Sequence, residues 1–174
     1  MLRKLLTIVG ILILVFVVLG ALLPRQYHVS RSIVVNAPPA RIHPLVDDLK
    51  RWEEWTPWRA TDASIVTTFG PTTVGVGASQ TWKGEKGEGR LTITKSDPGK
   101  GIEFDLVFVH DGEIPGKGWI TYSPAVGASR VEWALDGSME MPVVGGYFAL
   151  MSDMMMGGML EQGLKSLKAR VEGF

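Results

Sequence analysis

The sequence predicts an α+β protein. One curved antiparallel sheet of about six or seven strands wraps around a long C-terminal helix, and one transmembrane helix precedes both. Three observations carry this reading. An uncharged run opens the chain, short alternating β-rich segments fill its middle, and a long segment with helical apolar spacing ends it.

The opening run, LLTIVGILILVFVVLGALL, covers Leu5 to Leu23 without a charge. A helix of that length reaches about 28 Å, close to the hydrocarbon thickness of a bilayer. The run exceeds the roughly 7–15-residue core of a cleaved signal. It leaves through Gly20-Ala21-Leu22-Leu23-Pro24, with no A-x-A-like site. Residues 1–24 therefore read as an uncleaved single-pass anchor, in the membrane through residues 5–23, and residues 25–174 as one domain. Arg3 and Lys4 before the span favour a cytoplasmic N-terminus and an extracytoplasmic, periplasmic body. Arg25 and Arg31 beyond it make that bias slight.

The 18 basic and 18 acidic residues balance overall, and no basic stripe marks the body, which argues against nucleic acid as a partner. The absence of cysteine excludes disulfides and thiol-ligated metals. Nothing in the sequence specifies an oligomeric state.

The body opens with YHVSRSIVVN, in which Tyr27, Val29, Ile33 and Val35 share one strand face and Arg31 is the exception. Ala37-Pro38-Pro39 then starts a helical region. Ile42, Leu45, Val46, Leu49 and Trp52 recur there at helical spacing, with Pro44 early enough to be tolerated or to divide a short helix in two and Pro57 placed to stop it. SIVTTFG, GASQTWKG, GRLTITKSDP, GIEFDLVFVH, GKGWITYSP and SRVEWALDG follow as strands in an antiparallel meander. Ile102, Phe104, Leu106 and Phe108 alternate with wetter positions, as do Val131, Trp133 and Leu135. A helix from about Gly146 to Glu172 ends the chain. Its expected apolar face is Leu150, Met154, Leu160, Leu164, Leu167 and Val171, with Gly157-Gly158 as a weak point.

Three stretches carry a resemblance: RSIVVNAPPARIHPLVDDLKRWEEWTPW, GVGASQTWKGEKGEGRLTI and GGYFALMSDMMMGGMLEQGLKSLK. Together they resemble the helix-grip fold of the START-like superfamily, also called SRPBCC or polyketide cyclase/dehydrase-like proteins, across residues 26 to 172. The resemblance implies a paired-helix segment closing one end of a groove between sheet and terminal helix. Trp52, Trp55 and Trp58 would then plug or rim that groove, with Glu53 and Glu54 turned to water.

The alternation adds Trp82, Leu91, Ile93, Phe104, Leu106, Phe108, Trp133 and Leu135 as lining residues. Seven of the eight methionines lie between residues 139 and 159, and Met suits adaptable apolar surfaces. Met151, Met154 and Met155 are accordingly expected to form a wall that moulds to a ligand. A gap-filling packing helix is the plainer alternative, and contact with a bilayer or partner a third.

Catalytic chemistry has weak support. His28, His43 and His110 lack metal-ligand spacing. Gly75-Val76-Gly77 sits among strands and reads as turns and bulges. Asp47-Asp48 and Glu53-Glu54 read as solvated helix faces. Glu103, Asp105, His110 and Arg31 are candidates only if one enters the groove with a perturbed pKa. No metal or other cofactor is called for. The expected activity is binding of a hydrophobic small molecule or lipid. A cyclase or hydrolase using the same cavity is the first alternative. A protein-interaction module with an exposed apolar patch is the second.

Overall fold

The computed structural model describes residues 2–109 and 112–173. Helix α1 (Leu2–Leu22) is free of charge beyond Arg3 and Lys4 in its first turn, and almost all of its side chains stand exposed. Strand β1 (Gln26–Val35) follows. Helix α2 (Pro39–Val46), a 3-10 helix (Leu49–Glu54) and the short α3 (Trp58–Thr61) come next. Six strands then run in sequence: β2 (Val66–Phe69), β3 (Ser79–Gly84), β4 (Gly87–Asp97), β5 (Gly101–Val109), β6 (Glu113–Ala125) and β7 (Ala128–Ser138). Helix α4 (Gly145–Glu172) completes the fold.

All seven strands form one antiparallel sheet in the order β1-β7-β6-β5-β4-β3-β2. The meander from β2 to β7 is local. Only the β1–β7 pairing, from Gln26 opposite Ser138 to Val35 opposite Ser129, joins distant parts of the chain. α2, the 3-10 helix and α3 carry the chain from the β1 edge to the β2 edge. They close one end of the sheet because no other segment links those edges. This is the helix-grip arrangement.

The helical region is divided into short pieces, as the paired-helix resemblance implies, but not at Pro44. Pro44 is tolerated inside α2. The break falls at Asp47-Asp48, where Asp48 adopts extended geometry and its carboxylate accepts the Lys50 backbone N–H at 3.0 Å. Side-chain capping competes with helix continuation at such residues.

The terminal helix differs from expectation in its inward face. Leu160, Leu164, Leu167 and Val171 are buried as expected. Leu150 and Met154 are not: they are 62% and 73% exposed. Gly145, Gly146, Ala149, Ser152 and Gly157 face inward there instead. The first half of α4 lies close against β1 and α1, and only small side chains fit that approach. A Cβ on Gly157 would collide with the Arg31 guanidinium, and one on Gly146 with the Leu23 side chain.

Candidate ligand cavity

The 3-10 helix places Trp52 at its interior and Trp55 at its end, three residues on. Side chains at that spacing eclipse in 3-10 geometry, so both indoles point the same way. Both are 2% exposed. Their ring N–H groups reach back to the end of α2. Trp52 Nε1 donates to Val46 O at 2.7 Å, and Trp55 Nε1 donates to Leu45 O at 2.9 Å. Terminal helix carbonyls lack helical partners and need satisfying. The two tryptophans do this while filling the core.

Trp133 of β7 meets all three tryptophans of this segment, with ring centroids 6.2, 5.3 and 5.9 Å from Trp52, Trp55 and Trp58. Such tilted and edge-on contacts suit aromatic quadrupoles. Gly163 of α4 lets Trp133 approach, since a Cβ there would lie 2.6 Å from the Trp133 ring.

In front of this cluster lies an apolar cavity of about 120 Å³, bounded by the sheet, α3 and α4. Of the expected residues, Trp52, Trp58, Trp82, Leu91, Phe104, Leu106, Phe108, Trp133 and Leu135 line it. Trp55 and Ile93 lie in the packed core behind it. Met151, Met154 and Met155 stand on the outer face of α4, turned to the exterior. Met156 and Met159 take their place in the wall, because the inward face of α4 is rotated from the one the apolar spacing suggested.

Two cross-strand glycines position aromatic walls. Trp82 pairs with Gly89 and Phe104 with Gly118. A Cβ on either glycine would strike the opposite ring. The rings therefore lie flat over bare backbone. Gly89 lies in β4, at the start of the GRLTITKSDP segment read as a strand. Gly75 and Gly77 occupy positive φ in the loop before β3, and Gly87 does so as the first residue of β4, directly after the turn from β3.

The lining also holds polar groups that sequence reasoning missed: Glu53, Thr56, Arg59, Thr67 and Gln80. Glu53 and Arg59 are exposed and pair with each other at 3.8 Å across the mouth. Gln80 is different. It is 8% exposed, lines the cavity, and makes no side-chain hydrogen bond among the described residues. It lies two residues from Trp82, so period-two alternation could have found it.

The ionisable candidates lie elsewhere. Glu103 and Asp105 are on the outer sheet face, Glu103 paired with Lys95 at 2.9 Å. Arg31 is bonded to Asp153. His110 falls outside the described residues. Asp47 is not a solvated helix residue: it accepts the Ser96 hydroxyl at 2.5 Å. Ser96 Oγ also lies 3.2 Å from His43 Nε2, and His43 Nδ1 lies 3.3 Å from the Tyr122 hydroxyl. Burial pushes the Tyr122 phenol well above its ordinary range, with the nearby Asp47 charge adding to it. Serine and carboxylate approach the same ring nitrogen, and none of the four lines the cavity. The cluster ties α2 to β4 and β6. Among the described residues, no group of three or more His, Cys, Asp or Glu side chains could hold a metal ion.

A curved sheet closed by a terminal helix over an apolar cavity defines the helix-grip class. The profile of the family described as polyketide cyclase / dehydrase and lipid transport matches residues 26–172, and the chain belongs to that family. No curated protein matches it significantly by sequence. Solved structures share the fold. One is a protein from Thermobifida fusca, with TM-score 0.63 and 17% identity, covering 84% of this chain and 93% of that one. Another is a protein from Thermus thermophilus, with TM-score 0.60 and 18% identity, covering 84% and 97%. The Aha1 dimer from Colwellia psychrerythraea matches with TM-score 0.57 and 14% identity, covering 83% and 96%.

Proposed function

We propose that this protein is a membrane-anchored binding module that holds a hydrophobic small molecule or lipid between its sheet and α4. Residues 5–23 span the bilayer as an uncleaved anchor, and the body stands on the extracytoplasmic side. The observation that carries the reading is the cavity itself, apolar on nearly every side, with the Gln80 amide in its wall and without a partner among the described residues. The Gln80 amide has no protein partner to give up among the described residues, so a ligand bearing one hydrogen-bonding group can bond to it. The ligand is therefore largely apolar with a hydroxyl, carbonyl or ester placed to meet Gln80. Family membership supports the ligand-binding role.

An enzyme working in this cavity needs an ionisable group among the reacting atoms. Glu103, Asp105 and Arg31 lie outside it, and the two ionisable groups in its lining, Glu53 and Arg59, are exposed and paired with each other. The binding reading is preferred on that ground.

The test is native mass spectrometry of the full chain released from lipid nanodiscs, with organic extraction of whatever it retains. A retained apolar species of defined mass, weakened in Gln80→Leu, is the expected result. A bare chain that also leaves the tryptophan fluorescence unchanged against fatty alcohols, fatty acids and aromatic ketones would rule the reading out.

A further inference from the structure

The first three turns of α4 are apolar on two opposite faces. The inner face is built from small residues and packs against β1 and α1. The outer face carries Phe148, Leu150, Met151, Met154 and Met155, all exposed. At 100° per residue these five side chains fall within an arc of about 160°. Asp153 is the one charged residue between Gly145 and Leu160, and it is bonded to Arg31. Beyond Gly157-Gly158 the same outer stripe changes character and carries Glu161, Gln162 and Lys165. Exposed apolar stripes on soluble surfaces are rarely this continuous.

What covers the outer face is indicated by its neighbour. Tyr147 stacks on Phe16 of α1 with ring centroids 4.6 Å apart and planes within 2°. Its hydroxyl donates to Phe16 O at 2.8 Å. Gly20 of α1 sits against the Val143 carbonyl, and Gly146 of α4 against Leu23. The two helices are pinned at their ends. Phe16 lies six residues before the end of α1 at Leu22, which is about 9 Å along a helix. The start of α4 therefore stands level with the last turn of α1, beside Gly20 and Leu23, with the Tyr147 side chain reaching back to Phe16. Amphipathic helices that lie in a membrane interface bury their apolar face about 5–10 Å.

We infer that the first three turns of α4 lie in the headgroup–acyl boundary of the bilayer that α1 crosses, with Phe148, Leu150, Met151, Met154 and Met155 in the acyl region. This rests on the reading of α1 as an uncleaved anchor. The occupant of the face is lipid because the face continues a membrane span. The stripe has no lysine or arginine, so apolar burial drives insertion and anionic headgroups add nothing. The helix that rests in the membrane also supplies Met156 and Met159 to the cavity wall. That sets the cavity beside the acyl phase in which an apolar ligand dissolves.

The chain has no cysteine, so single labels can be placed cleanly. The full chain is prepared as Leu12→Cys, Met151→Cys, Met154→Cys and Lys165→Cys, each spin-labelled in phosphatidylcholine proteoliposomes. Accessibility to oxygen and to a water-soluble nickel complex is then measured. The expected result is a deep lipid signature at position 12, a shallow lipid signature at 151 and 154, and full water exposure at 165. Replacing a third of the lipid with phosphatidylglycerol leaves the pattern unchanged. If 151 and 154 are as open to nickel as 165 while 12 remains in lipid, the inference fails and the anchor stands. If 12 is itself open to nickel, the anchor reading fails with it. If 151 and 154 are shielded from both reagents, or show label-to-label broadening, a protein partner or second copy covers the face and the inference is wrong.

Discussion

Arg31 of β1 grips Asp153 of α4 at two points, Nη1 to Oδ1 at 2.7 Å and Nη2 to Oδ2 at 2.9 Å. The guanidinium lies across Gly157, the next inward position on the helix. This pair fixes the first half of α4 to the sheet edge where large apolar side chains are absent. It also accounts for a basic residue on an otherwise apolar strand face.

The Arg31 hydrogen bond holds the Asp153 carboxyl below its usual range. A carboxyl depressed in the folded state contributes stability above its unfolded value, near pH 3.9, and loses it as pH falls through the folded value. Asp153→Asn is therefore expected to lower the urea midpoint at neutral pH. The gap from the parent should close as pH drops from about 4 towards 2. A gap of constant size across that range would exclude the ion pair as its source.

Gly157 is expected to couple to Arg31. Alanine favours a helix interior over glycine by about 1 kcal/mol. That gain should be cancelled in the parent protein, where the new methyl displaces the guanidinium, and recovered in an Arg31→Ala background. A double-mutant cycle on the micelle-solubilised chain measures it. Additive effects would show that the close approach has no energetic weight.

Trp52→Phe and Trp55→Phe each leave a carbonyl of α2 without its buried donor. Each should cost about 1–3 kcal/mol beyond the lost packing. Trp58→Phe should cost less, because Trp58 is half-buried. Equilibrium unfolding of the three variants ranks them; a larger loss at Trp58 would contradict the assignment.

Gly118→Ala should push the Phe104 ring off its cross-strand position and into the cavity. Overpacking of this kind costs about 1–3 kcal/mol. Ligand retention should fall by more than the same loss of stability causes when it is made at Trp55, behind the cavity. Equal effects at the two sites would separate Phe104 from the cavity's shape.

The strands were legible because their signal is local. Alternation in Ile102–Phe108 and Val131–Leu135 states which residues share a face, and the sheet obeys it. The second half of α4 was legible for the same reason. Its first half was not. The sequence shows apolar residues almost all round that turn, and helical spacing cannot say which side meets the sheet. Close approach to Arg31 and Leu23 selects the glycine-rich side and turns the methionines out.

Hydropathy and alternation along the chain determined by themselves the apolar first helix, the strand-rich middle and the long closing helix. Both are properties of near neighbours. Tertiary structure decided which of the candidate lining residues face the cavity, that Gln80 stands in it without a side-chain partner among the described residues, and that Trp52 and Trp55 close a helix end. Those outcomes depend on contacts between residues far apart in sequence, where steric fit and hydrogen-bond satisfaction act and local pattern carries no information.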